Sequence, residues 1–152
     1  MYRILFMLFL IFTISSCNYD EPQLFDPTYF GESIKGITFV DETGEILKED
    51  PSDWCIGTNH LVSNYSFGPA YPNPVTKGKS FTIRFSLPKS TFLEIYIINT
   101  KFQITNTIVN SQLAAGIYSL NINTDEMVPN IYRLMFKSEG FSCSGDVWIK
   151  GK

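Results

Sequence analysis

The stretch Ser80–Pro88, "SFTIRFSLP", decides the fold. Phe81, Ile83, Phe85 and Leu87 alternate with Thr82, Arg84 and Ser86, so an extended chain here is apolar on one side and polar on the other. Period two marks a half-buried β-strand. Pro88 closes the run, because proline brings no N–H to a ladder. The same pattern recurs downstream. Leu93, Ile95 and Ile97 share a face, then Ile104 and Ile108 more weakly, then Tyr118, Leu120 and Ile122. Tyr132, Leu134 and Phe136 follow, and last Phe141 and Cys143 with Val147 and Ile149. Turn residues separate the runs at Pro88–Ser90, Asn99–Lys101, Asn110–Gly116, Asn123–Asn130 and Ser138–Gly140. No helical stripe competes. The expectation is all-β: an antiparallel, immunoglobulin-like β-sandwich of about seven strands over residues 66–152.

Upstream the chain changes character. Residues 17–65 carry ten acidic and two basic residues, a net of −8; residues 66–152 carry nine basic and five acidic, a net of +4. With Arg3 these give the whole-chain −3, too near neutral to imply nucleic-acid binding. The shift marks a boundary near Ser66. The plain reading of the two charge signs is two solvated faces, since exposed ion pairs add little; the sharper reading is that the two halves dock on each other. Residues 17–33, with Pro22 and Pro27, read as a tether. Residues 34–65 read as an acidic segment holding one hairpin: Ile37, Phe39 and Val40, a turn over Asp41–Glu45, and a return through Ile46 and Leu47. Trp54 is a packing anchor for that segment.

The first residues stand outside the fold. Arg3 precedes an apolar run from Ile4 to Phe12, too short for a membrane span and suited to a signal peptide over residues 1–16. The run ends in Ile14-Ser15-Ser16-Cys17, which resembles a bacterial lipobox. That resemblance implies a diacylated Cys17 and a membrane partner reached through its acyl chains. Asp20 and Glu21 beside the anchor look like a surface-sorting signal, so the expected location is the outer membrane of the cell envelope, periplasmic or surface-exposed.

Residues 66–152 resemble the C-terminal sorting domain of type IX secretion substrates, and the immunoglobulin-like module of flagellar hook-capping proteins. Six segments agree in order and spacing: "AYPNP" at Ala70–Pro74, "IRFSLP" at Ile83–Pro88, "LEIYIINTKFQI" at Leu93–Ile104, "LAAGIYSLNIN" at Leu113–Asn123, "PNIYRLMF" at Pro129–Phe136, and a closing strand to Lys150. The resemblance implies sorting-motif positions at Tyr71, Pro72, Asn73, Pro74, Gly116, Tyr132 and Lys150, and type IX secretion machinery as a partner. In such a module Pro72 and Pro74 would fix an extended edge that recruits no further strand, with Tyr71 tucked against the end of the sandwich. The sequence departs from the pattern twice. Asn130 stands where the family has a glycine, as the residue that best tolerates a left-handed backbone. Thr100-Lys101 stands in another turn where the family has glycine.

Catalytic chemistry has little to build on. His60 is the sole histidine, so a triad or a zinc site lacks its second imidazole. The acidic turn Asp41–Glu45 is too short for a dedicated calcium loop and reads as a hairpin turn. Asp50 and Asp53 flank a proline turn and would cap local backbone. No cofactor is expected. Cys55 and Cys143 form a candidate disulfide closing 88 residues; the other reading leaves Cys143 a buried thiol. The expected role is a non-catalytic envelope lipoprotein whose sandwich is a structural or interaction module. The alternative is a small secreted type IX substrate whose sandwich is a delivery signal. Removing it would leave 49 residues with little core.

Overall fold

The structure is a computed structural model and describes residues 36–51, 53–54, 65–139 and 141–151. The expected signal peptide, tether and anchor residue Cys17 lie outside them, as do Cys55 and His60.

Ten strands are described: β1 (Phe39–Val40), β2 (Ile46–Lys48), β3 (Ser66–Phe67), β4 (Val75–Thr76), β5 (Ser80–Leu87), β6 (Thr91–Ile98), β7 (Ile104–Leu113), β8 (Gly116–Asn123), β9 (Asn130–Ser138) and β10 (Phe141–Lys150). They form a five-stranded sheet in the order β4-β10-β9-β6-β7, a three-stranded sheet in the order β3-β5-β8, and the hairpin β1-β2. The two larger sheets make an antiparallel β-sandwich, as the alternation predicts, compatible with an immunoglobulin-like module. One pair departs: β4 runs parallel to the end of β10.

Burial follows the predicted parity. Phe81, Ile83, Phe85 and Leu87 are buried, and so are Leu93, Ile95, Ile97, Leu134, Phe136, Cys143, Val147 and Ile149. Phe67 of β3 packs against Phe85, Phe136 and Phe141 with centroids 5.9, 4.6 and 5.0 Å away, which ties the short first strand into the core.

Three local expectations are corrected. Asn110–Leu113 is strand, not turn, because Thr91–Glu94 offer an open edge and the polar side chains of an edge strand stay in water. Ile104 is 61% exposed instead of inward-facing. Register shifts between Ile95 and Tyr96 and between Ile97 and Ile98 reset the parity of β7 before its regular half begins at Val109. Asn130 begins β9 with ordinary backbone. The left-handed position falls instead on Phe102, φ 60°, in the turn that lacks glycine; there Asn99 Oδ1 accepts the N–H groups of Lys101 and Gln103.

Candidate functional site: a junction centred on Asn73

The prolines of "YPNP" remove two N–H groups and leave the N–H of Asn73 between them. That spacing produces a three-way exchange of partners. Tyr71 pairs with Thr82 of β5, N–H to O at 2.9 and 2.7 Å in the two directions. Asn73 pairs with Val40 of the hairpin, at 2.9 and 2.8 Å. Val75 then joins β10. The expected edge that recruits no strand is corrected here: the backbone of Asn73 recruits the hairpin. Tyr71 is half-buried at the end of the sandwich, with the Arg84 guanidinium 5.0 Å from its ring centre. Both X–Pro bonds of the motif are cis.

The Asn73 side chain is wholly buried and makes three hydrogen bonds. Its Nδ2 donates to the carbonyl oxygens of Thr38 (2.9 Å) and Asp146 (2.8 Å), and its Oδ1 accepts from the Trp148 N–H (3.0 Å). One primary amide therefore joins the acidic segment to the closing strand.

Asp53 makes a second join. Its Oδ2 accepts the Thr38 N–H at 2.8 Å; its Oδ1 accepts the N–H groups of Trp54 at 3.1 Å and Asp146 at 2.8 Å. Burial pushes its carboxyl up to about 6, against the opposing pull of the Thr38 and Asp146 N–H groups, and the neighbouring Asp146 charge adds to the rise. Asp146 is itself gripped by Arg133 through two parallel bonds, Nε to Oδ1 at 2.7 Å and Nη2 to Oδ2 at 2.8 Å. Asp50 extends the network, its Oδ2 accepting the Gly36 N–H at 2.9 Å.

Trp54 completes the weld. It is 0% exposed, sits at φ 56°, and meets Phe136 edge-on at 6.3 Å. Its indole fills the space that a Cβ on Gly145 would require. The described part of the acidic half thus docks on the basic half, where the plain reading of the charge pattern is independent solvated faces. What docks them is buried amide, carboxylate and indole, which a count of surface charge does not register. Gly145 carried a signal: it stands at inward parity between Cys143 and Val147, and a glycine there marks a close approach.

Beside the junction the hairpin and the sandwich leave an open groove of about 600 Å³, lined among others by Phe39, Leu47, Pro72 and Pro74. Asp41 and Glu42 edge it from the hairpin, Lys79 and Lys150 from the sandwich. Asp41 is turned into its own loop: its Oδ1 accepts from Thr43 N, Thr43 Oγ1 and Glu45 N, and these bonds hold its carboxyl below the usual range. Among the described residues no group of three His, Cys, Asp or Glu is placed to hold a metal ion.

Of the positions implied by the family resemblance, Tyr71, Pro72, Asn73, Pro74 and Lys150 gather at this junction. The Lys150 carbonyl accepts the Lys77 N–H at 2.9 Å. Tyr132 points into the core, its hydroxyl donating to the Val128 carbonyl at 2.9 Å. Gly116 lies away from them, at the end of β8 that pairs with Leu87. Cys143 is buried and disulfide-bonded, with its partner outside the described residues. No protein-family model and no curated protein matches the chain.

Proposed function

We propose that the protein is a non-catalytic lipoprotein of the cell envelope, tethered through acylated Cys17, in which the sandwich is a permanent structural and interaction module. The observation that carries this reading is the burial of Trp54 and Asp53 against β10. A delivery label is removable only if the passenger stands without it. Here the upstream segment contributes an indole and a buried carboxylate to the same interior, so cutting near Ser66 would strand both. On this reading the junction groove, lined by Phe39, Leu47, Pro72 and Pro74 together with residues of both charge signs, faces the protein partner.

The delivery-label reading, with type IX secretion machinery as partner, rests on the order and spacing of the six resembling segments. Mass spectrometry of the mature protein from its native cells separates the two. An acylated Cys17 on a chain that still ends at Lys152 is the expected result. A C-terminal fragment beginning near Ser66 would favour the delivery label. An N-terminus upstream of Cys17 without acyl chains would remove the anchor.

A further inference from the structure

Among the described residues the sandwich leaves four strand edges open, and they are treated unequally. On one side lie β3 and β4, two residues each, set among Pro69, Pro72 and Pro74. Short strands and prolines are devices that stop a sheet edge from pairing with another chain. On the other side lie β7 and β8, ten and eight residues, with no proline and no charged residue anywhere between Lys101 and Asp125. β7 is interrupted by two register shifts, a further protecting device. β8 has none: it pairs with β5 in unbroken register from Gly116 to Asn123, and among the described strands nothing pairs with its other side. Every second N–H and C=O along β8 is therefore offered outward.

We propose that this edge binds the same edge of a second copy, β8 against β8 antiparallel about a twofold axis, joining two three-stranded sheets into one. The composition of the strand selects the occupant. A charged peptide finds no opposite charge on β8, whereas a copy of β8 meets no like charge. Parity sets the register. Residues directly opposite must share a face, so the twofold passes through a residue; placed at Leu120, near the middle of β8, it sets Ile117 against Asn123, Ser119 against Asn121, and Tyr118 against Ile122. Asp125 then falls opposite Ala115, away from its own copy. The inward residues Tyr118, Leu120 and Ile122 continue the apolar face across the junction, and Ile117, 86% exposed, gains a neighbour. This inference is independent of the lipid anchor and of the groove.

Sedimentation equilibrium of the full chain across a concentration series tests it. The expected result is a reversible monomer–dimer equilibrium. The double variant Ser119→Lys/Asn121→Lys places like charges opposite each other in this register and weakens the dimer at least about tenfold. Both side chains are exposed, so its circular dichroism spectrum should match the parent. The control Thr107→Lys/Asn110→Lys, on β7, leaves the dimer unchanged. Amide exchange in β8 should slow as concentration rises. A chain that stays monomeric throughout, or a dimer lost with the β7 variant and kept with the β8 variant, overturns the proposal.

Discussion

The indole of Trp54 occupies the space in which a side chain on Gly145 would begin. Neither residue can change without the other noticing. Trp54→Ala empties a fully buried indole site and should cost about 3–5 kcal/mol. Gly145→Ala drives a methyl into the ring and should cost at least about 1–3 kcal/mol. In the double variant the methyl enters the vacated space, so its loss should fall short of the sum by about 1 kcal/mol or more. Urea unfolding of the four proteins measures this; strict additivity would mean the two sites do not touch.

Asn73 should be intolerant in a specific order. Asn73→Ala strands the Trp148 N–H and two carbonyl oxygens, a loss of about 2–4 kcal/mol. Asn73→Asp should be worse, since a carboxylate has no hydrogen to give Thr38 or Asp146 and would face both carbonyls with negative charge. Thermal unfolding at neutral pH ranks the three proteins. An aspartate variant as stable as the parent would disprove the donor assignment.

The carboxyl of Asp53 gives the stability a definite pH slope. Its folded value, about 6, lies above its ordinary value near 4 because burial disfavours the charged form. The folded state therefore holds a proton that the unfolded state has released. The contribution is fully present below about pH 4 and is lost as pH rises through 6, by about 3 kcal/mol. The stability of the parent minus that of Asp53→Asn should fall by roughly that amount between pH 4 and 7. A difference that is flat or rises with pH would contradict the assignment. Subtracting the variant removes the opposite slope from Asp41, whose carboxyl is held low.

Cys143 is disulfide-bonded, and Trp54, the residue before Cys55, lies over Gly145, two positions along β10 from Cys143. We propose Cys55 as its partner. Peptide mapping without reductant should recover a Cys55–Cys143 fragment, and reduction should cost about 4 kcal/mol for a loop of this length. Recovery of Cys143 joined to Cys17 would contradict both the pairing and the acylation.

The sandwich was legible because its core strands report burial directly: Phe81 to Leu87, Leu93 to Ile97 and Tyr132 to Phe136 alternate, and alternation is what a half-buried ribbon requires. The local pattern misplaces β7 at both ends. An edge strand pays no penalty for Asn110, Ser111 and Gln112, and its register shifts erase the parity that would have placed Ile104. The junction was legible only in fragments. Trp54 showed its size and Gly145 its emptiness at an inward position, but their meeting joins residues 91 apart in the chain. Asp53 looked like a local turn cap, and it does accept the neighbouring Trp54 N–H. Its bonds to Thr38 and Asp146 depend on tertiary placement, which no local pattern encodes. The prolines around Asn73 announced an edge, while the free N–H between them, the feature that captures the hairpin, is visible only once Val40 is beside it.

Amide hydrogen exchange, read residue by residue, tests most directly whether the upstream segment and the sandwich are one unit. Val40 N–H donates to the backbone carbonyl of Asn73 and Thr38 N–H to the Asp53 carboxylate, while from β10 the Trp148 N–H donates to the Asn73 side chain and the Asp146 N–H to the Asp53 carboxylate. If the junction is a single cooperative structure, all four amides open together, with one free energy close to that of global unfolding. Rapid exchange at Thr38 and Val40 while Asp146 and Trp148 stay protected would show that the segment is a passenger resting on an independent module.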